Sequence, residues 1–211
     1  MVTEPSVEAL AKSVVQAAEG YGFPAFVRTG LLSAKHNWKW TPCLTRADDV
    51  MRTLYGLTEM QEMAWLPPVE NIVVREMLPT FPLFHAFEDM PITLERRYFI
   101  DGGKVVDRQP YWPISAIEGH VEDIEDHEVV ADWKDRLIEA SRESSEEVAL
   151  LTGYAERLAA VMPGAWSVDF LFTERGWFFI DAAWAETSYV VTDADRRALG
   201  MPLRPAILPP V

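Results

Sequence analysis

Two aspartates stand inside otherwise apolar stretches late in the chain, Asp169 in "WSVDFLFTE" and Asp181 in "GWFFIDAAWA". Burying an isolated carboxylate is costly, so an acid in such a setting meets a cation, a metal ion or hydrogen-bond donors, or else turns to the surface. The residues flanking both aspartates are apolar, which weakens the surface reading. Two acids on neighbouring strands suit Mg2+, a hard cation that needs few protein ligands when nucleotide phosphates complete its octahedron.

Cations that could meet phosphates stand elsewhere in the chain. In "LERRYFI" the alternation of a strand puts Glu95, Arg97 and Phe99 on one face and Arg96 and Tyr98 on the other. Arg97 then faces a pocket beside Glu95, or the two form an ion pair on a solvated face. Arg28 and Lys35, in "FPAFVRTGLLSAKHNW", complete a set of three cations, and Gly30 and Ser33 are small enough to let backbone amides approach a triphosphate. His36 and Trp38 in the same stretch are either ligand contacts or packing. Neither G-x-x-x-x-G-K-[ST] nor G-x-G-x-x-G occurs, which excludes the two commonest phosphate loops.

Other chemistries have less support. His36, His85, His120 and His127 offer no i,i+4 pair and no H-E-x-x-H, arguing against zinc. Ser33, Ser115, Ser167 and Ser188 lack a G-x-S-x-G context, and Cys43 in "TPCLT" has no nucleophile signature. The acidic run "EGHVEDIEDHE", residues 118–128, is most simply a solvated loop.

Several elements must position these residues. A helix over 6–19, capped by Ser6 and stopped by Gly20 and Gly22, precedes two buried strands, "PAFVRT" and "IVVREML" at 72–78. A helix from Ala47 to Leu57 lies between those strands. "TLERRYFID" and "KVVDRQPYW" pair as a hairpin across Gly102 and Gly103, and "WSVDFLFTE" pairs with "GWFFIDAAWA" across "RG". One long helix, or two, fills Ala131 to Met162 and ends at Pro163 and Gly164. The proline-rich tail reads as extended. This order of elements predicts an α+β fold with antiparallel sheets.

Composition sets the outer limits. A chain of 211 residues that is 49% apolar can bury a core without disulfides or a structural metal. A formal net charge of -14 argues against a nucleic-acid surface. No apolar run approaches the length of a membrane span, and the single cysteine fits a reducing compartment, so the expectation is a cytoplasmic protein with no membrane partner.

The ordered set "FVRTGLLSAKHNW", "VVREML", "LERRYFIDGGKVV" with "YWP", and "WSVDFLFTERGWFFIDAAWA" resembles the ATP-grasp superfamily. It is most similar to the small stand-alone ATP-grasp proteins of bacteria and phages, and more distantly to the eukaryotic cell-division-cycle ATP-grasp proteins. The resemblance implies one ATP-grasp domain over 1–211, with a first subdomain at about 23–78, a second at about 79–190, an extended tail at 200–211, and ATP between two antiparallel sheets. It implies that Arg28 and Lys35 meet phosphates, that Glu76, Met77 and Leu78 form the adenine-contacting hinge strand, and that Arg97, in an E-x-R-x-F strand beginning at Glu95, reaches the phosphates. Asp169 and Asp181 match the two Mg2+-binding acids.

Two departures accompany the match. The family's last strand reads acid, any residue, Asn, whereas Asp181 is followed by Ala182 and Ala183, so one metal position lacks its Asn unless Glu186 compensates. Only about 22 residues precede the first matched strand, so the expectation is that the preceding substrate-binding domain is absent, reduced or supplied by a protein or peptide partner. The implied activity is an ATP-dependent carboxylate–amine ligase with ATP and Mg2+, acting on a small carboxylate and an amine such as an amino acid or peptide. Arg97 and Lys35 would serve the chemistry. The alternative is a non-catalytic ATP- and Mg2+-binding assembly or interaction module.

Overall fold

A computed structural model of the chain describes residues 6–122, 124 and 127–203. They fall into two compact units. The first runs to Leu78 and takes in His85–Met90 with the described residues of 123–128; the second holds Pro79–Phe84, Pro91–Glu122 and the remainder. Among the described residues, no helix is long and apolar enough to cross a membrane.

In the first unit, helix α1 (Val7–Tyr21) starts where the Ser6 side chain accepts from the Ala9 amide at 3.2 Å. It passes through Gly20 and stops at Gly22, whose φ of 91° suits a residue without a Cβ. Its inward residues Ala11, Val14 and Ala18 form one core with Ala25 and Val27 of β1 (Ala25–Thr29), Leu44 of β2 (Cys43–Leu44), and Leu54 and Leu57 of α2 (Val50–Met63). Each Val or Leu side chain among them, fully buried, contributes about 1.5–3 kcal/mol, and each alanine methyl less. Helix α2 extends to Met63 rather than Leu57, because "TEMQEM" continues a run of good helix formers and Gln61 is buried.

Strand β1 is central in the order β2-β1-β3, antiparallel to both neighbours. Its alternation buries Ala25, Val27 and Thr29 and leaves Phe26 and Arg28 half-buried on the opposite face. Strand β3 (Ile72–Glu76) departs from expectation: it is an edge strand, half-buried to exposed, and it ends at Glu76. Glu76 pairs with Ala25, and the preceding Pro24 has no N–H with which to carry the ladder to Met77 and Leu78.

A short hairpin follows, β4 (Phe84–Ala86) and β5 (Met90–Ile92), turning through Phe87, Glu88 and Asp89, all at positive φ. The second unit then forms a four-stranded antiparallel sheet from β6 (Glu95–Asp101), β7 (Lys104–Pro110), β8 (Trp166–Thr173) and β9 (Gly176–Trp184), in the order β7-β6-β8-β9. The β6–β7 turn is made by Gly102 and Gly103, both at positive φ, as a two-residue hairpin requires.

Helix α3 (Ile114–Ile117) follows β7. The helical stretch expected over 131–162 is divided into α4 (Trp133–Ala140) and α5 (Ser145–Ala159), with Ser144 capping α5 by accepting from the Glu147 amide at 3.1 Å. Leu151 and Ala155 of α5 pack on Tyr98, Ile100, Val168 and Phe170 of the sheet. A last helix, α6 (Asp193–Ala198), was not anticipated from sequence; Thr192 caps it through the Asp195 amide. Met201 to Leu203 carry no regular structure, and the rest of the expected extended tail, 204–211, lies outside the described residues.

Arg96 was read from sequence only as the face opposite Arg97. It is 1% exposed. Its Nε donates to Glu147 Oε1 at 2.7 Å, and its Nη2 donates to the carbonyls of Ala140 at 2.8 Å and Arg142 at 3.2 Å. One guanidinium thus ties β6 to the end of α4 and the start of α5. The neighbouring Tyr98 hydroxyl donates to Glu143, and burial together with that carboxylate raises its pKa.

Candidate functional site

The register of the second sheet lines up four polar residues across it: Gln109 opposite Arg97, Arg97 opposite Asp169, and Asp169 opposite Asp181. Residues directly opposite one another in an antiparallel ladder share a face. Because Tyr98 and Val168 face α5, this row occupies the other face of the sheet.

A break in β9 is what brings Asp181 into the row. From the turn, the ladder runs Thr173–Gly176, Phe172–Trp177, Leu171–Phe178 and Phe170–Phe179, and then slips so that Asp169 meets Asp181 and not Ile180. Ile180 is the extra residue of a β-bulge. Without it Asp181 would pair with Val168 and point toward α5, since a one-residue slip turns a strand over.

Arg97 and Asp169 form a two-pronged ion pair, with Nε to Oδ1 and Nη2 to Oδ2 both at 2.8 Å. The side chains are 12% and 6% exposed. Burial alone would lower the Arg97 pKa, but the hydrogen bonds and charge of Asp169 outweigh it and raise the value further. Arg97 Nη1 donates to the Tyr189 carbonyl at 3.3 Å, and the guanidinium lies 4.7 Å from the centre of the Tyr111 ring. Gln109, itself 1% exposed, donates to the same Tyr189 carbonyl at 3.1 Å and accepts from the Val191 amide at 3.0 Å. Sequence reasoning missed Gln109: a regular ladder counted from the Gly102-Gly103 turn sets Arg108 opposite Arg97, and only the shift in register that leaves Val106 unpaired brings Gln109 there.

Glu95 does not belong to a solvated ion pair. It is buried, with Oε1 accepting from Trp112 Nε1 at 3.0 Å, and the carboxylate opposite Arg97 is Asp169. Asp181 accepts from the Ala182 amide at 3.1 Å. Glu186 lies exposed on a single 3-10 turn, Ala185–Thr187, beyond the end of β9.

In the first unit, Arg28 projects from the outer face of β1, half-buried, with Nε donating to the Thr29 carbonyl at 3.1 Å. The chain then turns on Thr29, whose Oγ1 accepts from the amides of Leu31 at 3.2 Å and Leu32 at 2.9 Å. Those two amides are therefore committed within the turn. A Cβ on Gly30 would lie 2.4 Å from Oδ1 of Asn71, the tip of an exposed side chain that is free to turn aside. Lys35 follows, half-buried; His36 stacks on Phe87 with ring centres 4.5 Å apart, and Trp38 lies 6.2 Å from Phe26 on the face that carries Arg28. Glu76 is exposed at the end of β3, and Met77 and Leu78 are half-buried just beyond it.

The acidic run at 118–128 is not wholly a free loop. His127 stacks on His85 with ring centres 3.5 Å apart, and its Nδ1 lies 3.2 Å from Asp89 Oδ1.

The donor set can be tested against Mg2+ directly. Among the described residues no three His, Cys, Asp or Glu side chains converge as a metal cage. Each Asp169 oxygen spends one lone pair on Arg97 and keeps another, and Asp181 stands beside it in register. Two carboxylates with a fixed guanidinium fit a cation that draws most of its ligands from phosphate and water, and do not fit one held by protein alone.

No family model matches the chain. No curated protein matches its sequence. Among solved structures the chain is similar to a RimK domain protein ATP-grasp from Sphaerobacter thermophilus, at 13% identity and a TM-score of 0.43, covering 82% of this chain and 47% of that one. It is similar to D-alanyl-alanine synthetase A from Vibrio cholerae, at 15% identity and a TM-score of 0.46, over 87% of this chain and 48% of that one. It is also similar to C-terminally truncated Cdc123 from Schizosaccharomyces pombe, at 13% identity and a TM-score of 0.48, over 86% and 68%. The chain spans about half the length of the first two.

Proposed function

We propose that the chain binds Mg-ATP in the manner of an ATP-grasp protein and uses it as a carboxylate–amine ligase. The observation that carries this reading is the row Arg97, Asp169, Asp181, a half-buried cation followed by two carboxylates on one sheet face. In the proposed reaction a carboxylate oxygen attacks the γ-phosphorus, ADP leaves, and an amine displaces phosphate to form the amide. Phosphoryl transfer of this kind relies on positioning and charge stabilisation, with no protein nucleophile.

Arg28 and Lys35 are assigned to the phosphates, and Glu76, Met77 and Leu78 to the adenine. Bound Mg2+ would supply neutralisation of phosphate charge, with Asp181 and the remaining lone pairs of Asp169 as its protein ligands. Arg97 is assigned to hold Asp169 in place and to present its positive charge to the developing negative charge on the transferred group. Glu95, anchored by Trp112, is assigned to support that strand. The substrates would be a small carboxylate and an amine.

A second reading, binding of Mg-ATP without ligation, is favoured by Ala183 where the resemblance expects Asn. ADP release measured with pooled carboxylates and amino acids separates the two: turnover supports the ligase, whereas nucleotide binding without turnover supports the module. Lys35→Ala and Asp181→Ala should each weaken Mg-ATP binding or turnover about tenfold or more, the size expected when a charge-assisted contact worth about 1.5–3 kcal/mol is removed. Unchanged affinity and rate in both variants would place the site elsewhere.

A further inference from the structure

The face of α2 that points to solvent is apolar and acidic together. Tyr55, Glu59, Glu62 and Met63 follow the spacing i, i+4, i+7, i+8 and so share one side of the helix. Tyr55 is 63% and Met63 68% exposed, and Trp65, just past the helix end, is 95% exposed. No Lys or Arg stands between Arg52 and Arg75, while Glu59, Glu62 and Glu70 do.

The backbone under Trp65 is rigid and unusual. The Trp65 amide donates to the Glu62 carbonyl at 2.9 Å and the Leu66 amide to the Gln61 carbonyl at 3.2 Å, the paired bonds of a Schellman motif. Trp65 occupies the left-handed position of that motif with φ 56°, where glycine is the residue free of a Cβ penalty. The Gln61 side chain donates to the Pro67 carbonyl and fixes the segment that follows. The fold thus tolerates an unfavourable backbone to hold an indole in water, where it gains no burial. A large aromatic presented on a hydrogen-bonded backbone has only its own two side-chain rotations to lose on binding.

We infer that this face, Tyr55, Met63 and Trp65 with Glu59 and Glu62 interspersed, docks a basic segment of a protein partner that carries a bulky apolar residue. Charge complementarity selects that occupant. A second copy of the chain would set Glu59 and Glu62 against their own counterparts, on a molecule of net charge -14. Nucleic acids and anionic lipid surfaces are repelled in the same way. The site shares no residue with those assigned to nucleotide, and the inference stands independently of that assignment.

The probe is a displayed library of random dodecapeptides, selected on the wild-type protein and counter-selected on Trp65→Gly. Glycine suits the left-handed position, so this variant should unfold at the same temperature as wild type or higher. Enriched clones should carry net positive charge and a Leu, Ile, Phe or Trp. A synthesised clone should bind at least tenfold more weakly to Trp65→Gly and to the Glu59→Gln/Glu62→Gln double variant, and more weakly as salt is raised. Clones that are neutral or acidic, clones that bind all three proteins equally, or no Trp65-dependent clone at all would overturn the inference. So would a concentration-dependent dimer in sedimentation that Trp65→Gly abolishes, since the occupant would then be a second copy.

Discussion

Truncating Asp169 to Ala removes both acceptors of the Arg97 fork, each 2.8 Å away, from a guanidinium whose side chain is only 12% exposed. What remains to Arg97 is the Tyr189 carbonyl at 3.3 Å, the Tyr111 ring at 4.7 Å and the charge of Glu95, which is hydrogen-bonded to Trp112; none of them replaces the fork. Breaking a buried pair from one side costs about 3–5 kcal/mol, chiefly because the surviving charge is left uncompensated. Asp169→Ala and Arg97→Met should each fall in that range. The double variant leaves no stranded charge, so its cost should be less than the sum of the two by about 2 kcal/mol or more. Urea unfolding, followed by tryptophan fluorescence and far-ultraviolet circular dichroism together, measures the cycle where the two probes give coincident transitions. Costs that add to within about 0.5 kcal/mol would refute the idea that the two residues act as one unit.

Other outcomes follow from the same contacts. Arg96→Met strands the half-buried Glu147 carboxylate and releases the α4–α5 junction; it should lower stability by about 3 kcal/mol in the same urea assay, with partial recovery on adding Glu147→Gln. His85 has a lowered pKa, because burial and the His127 ring outweigh Asp89. Its neutral form is favoured by folding, so its contribution is complete above the unfolded value of about 6.5 and is lost as pH falls through the lower folded value. The fall in melting temperature from pH 7.5 to 5 should therefore be smaller in His85→Asn than in wild type, and equal falls would contradict this.

Much of the fold could be read from local patterns because those patterns had a single satisfactory solution. Gly102-Gly103 permits a two-residue hairpin turn, and Ser6 can cap only the helix that follows it. The division between α4 and α5 was harder to see, since it depends on Arg96 drawing in the carbonyls of Ala140 and Arg142 from distant sequence. The edge position of β3 was hidden for a similar reason, as "IVVREML" is β-branched whether or not a second neighbour exists.

Within the candidate site, the acids at 169 and 181 announced themselves by their apolar surroundings, but their common face did not. A regular ladder counted back from the Glu174–Arg175 turn pairs Asp169 with Ile180 and turns Asp181 the other way. Only the bulge at Ile180 reconciles them, and a bulge of this kind leaves no local mark in a run of apolar residues. The ion pair of Arg97 with Asp169 was equally out of reach, because the nearest acid in sequence, Glu95, is claimed by Trp112.

The central claim is that this chain binds Mg-ATP, and thermal unfolding with and without nucleotide addresses it most directly. At a free concentration 100 times the dissociation constant, Mg-ATP should stabilise the folded protein by about 2.7 kcal/mol, and the gain should shrink when Mg2+ is withheld or Asp181 is replaced by Ala. An unfolding temperature that no nucleotide moves, with or without Mg2+, would contradict the account.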